Sequence, residues 1–208
     1  MQQSGFHNRR KYHLEDVKKV LIFAKSLLRI ENIWHVLDYG SAGGHILGQA
    51  VKLFGKHGIT YYGIEGGSLV GACSPKQMVR ESQALASKLD VIFQGTDAEC
   101  VFEDMSHHPV FESTGPILSH MYDGGIMLGS VMEHVFDNVS KISPAGSVMC
   151  FVSADASSFA IHEEQVGVKE IKSSMKKRGW RCSRTTYCVR EFDCSPTMCA
   201  IFFTKLVS

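Results

Sequence analysis

The chain has 208 residues, 44% of them hydrophobic and 21% charged, a balance that excludes the disordered, collagen-like and membrane-embedded classes and suits one domain of about 100 to 200 residues. Lys+Arg 22 against Asp+Glu 21 leaves a net charge of +1, so a charged partner has to be met by a local patch and not by the bulk field. No run of about 18 apolar residues suggests a membrane span, and the polar, basic start MQQSGFHNRRKYH lacks the apolar centre of a secretory signal, so an intracellular protein, cytoplasmic or nuclear, with no membrane partner is expected.

Residues 1–13 are expected to form a flexible basic arm, with one domain over 14–208. Leu14, Val17, Val20, Leu21, Ala24, Leu27 and Leu28 recur at three- and four-residue intervals and predict an amphipathic helix. Ile33 to Tyr39 reads as a buried strand, after which Gly40, Gly43, Gly44 and Gly48 crowd into a turn. The stripe Ile46, Leu47, Ala50, Val51 and Phe54 predicts a second helix closed by Gly55. A second strand, Ile59 to Ile64, ends in Glu65, and Ser74-Pro75-Lys76-Gln77 opens a helix running to about Leu89, with a capping hydroxyl and proline at the first helical position.

Val91 to Gln94 predicts a third strand, ending at Gly95-Thr96-Asp97, and Ile117 to Tyr122 a fourth, ending at Asp123. A helix near Val131 to Ile142 leads through Pro144-Ala145-Gly146 into a fifth strand, Ser147 to Ser153. A charged helix from about Glu163 to Arg178 is followed by two strands, Cys182 to Arg190 and Thr197 to Lys205. Their short connection demands an antiparallel pair. Alternating strands and helices imply an α/β domain with a mostly parallel seven-stranded sheet, helices on both faces and an antiparallel C-terminal hairpin.

The seven cysteines are expected to be reduced thiols. Cys182, Cys188, Cys194 and Cys199 follow the spacing C-x5-C-x5-C-x4-C, which lacks the short C-x2-C knuckle of a zinc site. No metal is expected.

In an open parallel sheet, ligands bind beyond the carboxyl ends of the strands where strand order reverses, usually after the first strand. The glycine turn follows that strand directly. Glu65, 27 residues after Asp38, ends the neighbouring strand, where an acid can accept the hydroxyls of a ribose. Asp38 ends the first strand and the spacing is not G-x-G-x-x-G, so the ligand need not be a dinucleotide.

V-L-D-Y-G-S-A-G-G-H at Val36 to His45, Y-Y-G-I-E at Tyr61 to Glu65 and the terminal hairpin resemble the Rossmann-like, class I S-adenosylmethionine-dependent methyltransferases. Within that class the motifs look most like those of the Dot1-type histone lysine methyltransferases, D-L-G-S-G-V-G-Q and Y-G-V-E. The resemblance implies S-adenosylmethionine as cofactor, held by Asp38, Gly40, Ser41, Ala42 and Gly44, with Glu65 on its ribose and Asp97 on its adenine. Ala42 stands where the family has its middle glycine, with Gly43 beside it. The acceptor is expected near the end of the fourth strand, at His120, Tyr122 and Asp123. Tyr122 would close over the methyl group, and His120 or Asp123 would orient or deprotonate the acceptor. Ser119 and Met121 share the opposite face of that strand. The H-M-Y of this strand stands where Dot1-type enzymes carry N-N-F, so a protein lysine as acceptor is carried by resemblance alone.

A nucleic acid is the other acceptor class, and two basic stretches, Arg9-Arg10-Lys11 and Lys176-Lys177-Arg178 continuing through Arg181 and Arg184, are suited to an acidic partner, protein or nucleic acid, such as a nucleosome or RNA. A nicotinamide-dependent oxidoreductase and a non-catalytic cofactor-binding module of the same fold are the competing readings.

Overall fold

The computed structural model describes residues 14–28, 35–39, 45–55, 58–64, 115–123, 129–153, 167–187 and 199–207. The helical stripe from Leu14 forms α1 (Leu14–Leu27), and the chain continues through β1 (His35–Tyr39), α2 (His45–Phe54) and β2 (Thr60–Ile64). After these come β3 (Ile117–Asp123), α3 (Gly129–Ile142), β4 (Val148–Ser153), α4 (Val168–Lys177), β5 (Trp180–Tyr187) and β6 (Cys199–Lys205). The arm 1–13, the helix from Ser74 and the strand Val91 to Gln94 lie outside the described residues. None of the described helices is long and apolar enough to cross a membrane.

The described strands form one six-stranded sheet in the order β2-β1-β3-β4-β6-β5. Strand β1 runs parallel to β2 and β3, and β3 parallel to β4. Strand β6 lies antiparallel between β4 and β5, as the short connection between the last two strands requires. The chain therefore leaves β1 toward β2 on one side and returns to β3 on the other. The order reverses between β1 and β3.

Alternation along the strands divides the core in two. Val36, Leu118, Val148, Cys150, Val152 and Phe202 pack with Val17, Val20, Leu21 and Ala24 of α1 and Leu47, Ala50 and Val51 of α2. Leu37, Tyr39, Ile117, Met121, Met149, Phe151, Ile201 and Phe203 pack with Val135, Phe136 and Val139 of α3 and Ile171 and Met175 of α4. At the amino-terminal edge of the sheet, Ser147 ties three strands together. Its hydroxyl accepts from the Ile117 amide at 3.0 Å and its carbonyl from the Lys205 amide at 2.8 Å.

Strand β5 begins at Trp180, two residues before the sequence pattern suggests. Gly179 adopts φ +80, which reverses the chain straight out of α4 and brings Trp180 into register with Lys205. The Trp180 ring is buried, its indole N–H donates to Ser140 Oγ at 2.8 Å, and Lys205 Nζ stands 5.3 Å from the ring centroid. Arg178 adds ion pairs to Glu133 and Asp137 at 2.6 and 2.7 Å, with carboxylates about half exposed. Solvent-screened pairs contribute about 1 kcal/mol or less each, whereas burying roughly 150–250 Å² of indole contributes about 4 to 6 kcal/mol. Trp180 is thus the anchor of the α4–β5 junction, and the ion pairs orient it. Because a left-handed backbone costs an L-residue about 1 to 2 kcal/mol, Gly179→Ala is expected to lower the melting temperature by about 2 to 8 °C without loss of fold, read by circular dichroism.

Candidate functional site

The reversal of strand order puts a crevice at the carboxyl ends of β1 and β3. Val36, Leu37, Asp38 and Tyr39 bring β1 to that edge, all buried. Strand β3 arrives beside it with Asp38 in register with His120 and Tyr39 with Met121. Register continues from His120 to Cys150 on β4 and from Cys150 to Phe202 on β6, so Asp38 and His120 stand in one transverse row beneath α1 and α2.

Both side chains are fully buried, and His120 Nδ1 lies 2.9 Å from Asp38 Oδ1. An ionised Asp38 accepts this bond from the Nδ1–H. Burial pushes the Asp38 carboxyl above the usual carboxylate range, while the hydrogen bond and the charge of His120 pull it back. The second oxygen, Oδ2, is buried and has no hydrogen-bond partner among the described residues. On the other face of the same strand end, the buried Tyr39 hydroxyl also lacks one among them, and burial raises its pKa well above the ordinary tyrosine value. Unsatisfied buried oxygens cost about 1 to 3 kcal/mol each. The carboxyl end of β1 is therefore a place where polar atoms await donors.

Helix α2 starts at His45, immediately after the Gly40 to Gly44 segment of the sequence, and carries no acidic side chain in its first turn. Its first amide groups and partial positive charge point toward the same edge. The other end of α2 is pinned to β2: the buried Tyr61 hydroxyl donates to the Gly55 carbonyl at 2.6 Å, and Gly55 takes φ +100 to close the helix.

Of the residues singled out from sequence, Asp38 and His120 are brought together as a pair. Tyr122 and Asp123 end β3 in register with Val152 and Ser153. Gly40, Ser41, Ala42, Gly44, Glu65 and Asp97 lie outside the described residues. Ser119 and Met121 fall on the opposite face from His120, as alternation requires, and both are buried. The Asp38–His120 contact is what sequence reasoning missed. Each residue is a polar interruption of an apolar strand, and only the adjacency and register of β1 and β3 join them.

Cys182 and Cys199 sit at separate rungs of the terminal hairpin, opposite Phe203 and Tyr187. Among the described residues no three His, Cys, Asp or Glu side chains gather into a metal-binding group.

No protein-family model and no protein of curated function matches the sequence. The fold does match solved structures. An S-adenosylmethionine-dependent methyltransferase from Clostridium acetobutylicum aligns over 94% of this chain and 93% of its own, with a TM-score of 0.65 and 10% identity. The glycopeptide N-methyltransferase MtfA, solved with sinefungin, aligns over 92% and 87% at a TM-score of 0.64 and 8% identity. An Aquifex aeolicus S-adenosylmethionine-dependent methyltransferase aligns over 94% and 100% at 0.62 and 13%. With its β1–β3 reversal and an antiparallel β6 inserted before β5, this chain has the α/β fold of the class I S-adenosylmethionine-dependent methyltransferases.

Proposed function

We propose that the chain is an S-adenosylmethionine-dependent methyltransferase whose cofactor lies across the carboxyl ends of β1 and β3. The observation that carries this reading is Asp38, a buried carboxylate at the reversal point with one oxygen held by His120 and the other unpartnered among the described residues. Such a group suits a ligand that brings its own donors, and the acid-free start of α2 suits a carboxylate. MtfA, a neighbour in fold, is solved both with sinefungin and with S-adenosylmethionine. In this reading the Gly40 to Gly44 turn follows the cofactor backbone closely, Glu65 accepts the ribose hydroxyls and Asp97 meets the adenine.

The cofactor, when bound, supplies an electrophilic methyl group on a sulfonium. The protein's part is alignment and exclusion of water. Full burial and a committed Nδ1 support a positioning role for His120: it holds the Asp38 carboxylate in one rotamer and favours its ionised form. Tyr122 and Asp123 at the end of β3 are then the residues on the acceptor side. The likeness of Val36 to Ser41 and Tyr61 to Glu65 to the Dot1-type motifs supports a protein lysine as acceptor. A labelled-cofactor assay on an extract sorted into protein, nucleic acid and small molecules tests this, and label confined to small molecules would refute it.

Calorimetry with S-adenosylmethionine or its demethylated product is expected to show one site, with affinity reduced at least tenfold in Glu65→Ala. No heat of binding in the wild type would overturn the reading.

Asp38 gives a second test. Its raised carboxyl contributes stability that is fully present below its unfolded value of about 4 and is lost as pH rises through the folded value. Asp38→Asn removes that loss. The variant is expected to match or exceed the wild type in thermal stability toward neutral pH while binding cofactor at least tenfold more weakly.

His120→Ala is expected to weaken cofactor binding severalfold, and His120→Asn, which keeps a donor, to restore most of it. Equal effects of the two would argue against positioning through Nδ1.

A further inference from the structure

We propose that the Asp38–His120 pair is a proton–cation exchange site: in the free protein it is net neutral and holds one exchangeable proton, which leaves for solvent when the ammonium group of the cofactor takes its place. This rests on the cofactor reading above and adds to it the protonation state of the free site. Asp38 and His120 are both fully buried, and the 2.9 Å bond joins one ring nitrogen to one carboxylate oxygen. The other oxygen, Oδ2, has no hydrogen-bond partner among the described residues. An ionised Asp38 beside a neutral imidazole would leave one negative charge in the core, and a buried charge with no opposite charge takes up a proton instead. Written as carboxylic acid and imidazole or as carboxylate and imidazolium, the pair with that proton carries no net charge. Burial accordingly pushes the Asp38 carboxyl up, and the hydrogen bond and charge of His120 oppose the rise.

Among the described residues no fixed cation stands in for the proton, since the ion-pair partner of Asp38 there is His120 itself. Gly63 lies opposite Asp38 on β2 and brings no side chain. Tyr61, two residues before it on the same face, donates its hydroxyl to the Gly55 carbonyl. Beyond His120 the row passes through the thiol of Cys150 and the ring of Phe202 to Arg184 of β5. That guanidinium stacks on the Phe23 ring, four strand spacings or about 19 Å from Asp38. His35 and Tyr39 of β1 lie on the opposite face of the sheet. The helices overhead present Val17, Val20, Leu21 and Ala24 of α1 and Leu47, Ala50 and Val51 of α2. Of their charged side chains, Lys18 and Lys52 are exposed, Lys19 is half-buried, and Lys25 stands over the Phe54 ring. Asp16, buried in the first turn of α1, is a second acid and not a cation.

The cofactor brings the missing cation. S-adenosylmethionine and its demethylated product both carry an ammonium on the carbon that bears the carboxylate. With the carboxylate at the start of α2, and the ribose and adenine on Glu65 and Asp97, the ammonium is the donor left for Oδ2. One proton leaves, one ammonium arrives, and the net charge of the site is zero before and after. Binding below the folded value of the carboxyl therefore includes a deprotonation, and affinity falls there by up to about tenfold for each unit of pH.

The test is calorimetry of the full chain with the demethylated product, which lacks the sulfonium charge and keeps its ammonium protonated across the range used. Titrations run from about pH 5.5 to about pH 8, above the ordinary carboxylate range, in pairs of buffers with different ionisation enthalpies, which count the protons released. The wild type is expected to release about one proton per ligand at the acid end, with affinity rising by up to about tenfold per unit of pH and levelling off above the folded value of the carboxyl. Asp38→Asn, neutral at every pH, is expected to release none and to keep one affinity throughout, so that the two proteins converge as pH falls. The wild-type proton count needs no variant, so a poorly folded Asp38→Asn does not decide the outcome. Binding without proton release in the wild type would overturn the exchange and leave the cofactor reading standing. Release that persists in Asp38→Asn would overturn it too, by assigning the proton to another group. Absence of binding at every pH would overturn the cofactor reading and the exchange with it.

Discussion

The hydrogen bond between His120 and Asp38 joins the two strands between which the order of the sheet reverses. A carboxylate taken fully out of water is among the most expensive groups a core can hold, and one good donor offsets only part of that cost. The apolar surroundings add to that cost, and the placement of His120 offsets part of it. The apolar row extends through Cys150 and Phe202, helices α1 and α2 pack over this face, and the parallel register leaves His120 no choice of partner position. A titratable carboxyl kept at this depth, where an apolar residue would pack more stably, is a feature common at functional sites.

The scaffold holds that edge rigid from the opposite end. Ser147 bonds the beginnings of β3 and β4 to the end of β6, and Trp180 fastens α4 and β5 to α3. The large aromatic and hydrogen-bonded anchors therefore lie away from the carboxyl ends of β1 and β3. Segregation of this kind allows a binding edge to carry unsatisfied polar atoms while the domain remains stable, since stability need not be spread evenly over a structure.

Helix α1 has two faces with different tasks. Its buried stripe closes the core over β4 and β6, with Phe23 meeting Phe202 edge to face at 4.7 Å between centroids. Its outward side carries the exposed Lys18 and the half-buried Lys25, the latter standing over the Phe54 ring of α2.

Local pattern made most of the elements legible. Apolar residues at helical spacing marked α1 and α2, and compact apolar runs marked β1 to β4, because burying one face of a helix or both faces of a strand leaves a periodic trace. The brief connection before the last strand implied antiparallel pairing for a geometric reason alone. Boundaries were less legible: β5 starts at Trp180 because Gly179 turns the chain at once, and nothing in the Trp180-Arg181 pair marks it as strand. The Gly40 to Gly44 segment stands between a strand and a helix, β1 and α2, as the apolar patterns on either side of it implied.

The sequence by itself determined the alternating α/β plan, the antiparallel finish and the position of the glycine cluster between β1 and α2, since these follow from spacing along the chain. Only the tertiary structure decided that Asp38 and His120, 82 residues apart, are partners and not two independent site residues. It also divided the basic run at the end of α4 between two faces, with Arg178 paired to Glu133 and Asp137 of α3 and Arg184 over the Phe23 ring of α1. Hydrogen bonds and electrostatic fields depend on distance in space, and distance in space is set by strand order and register.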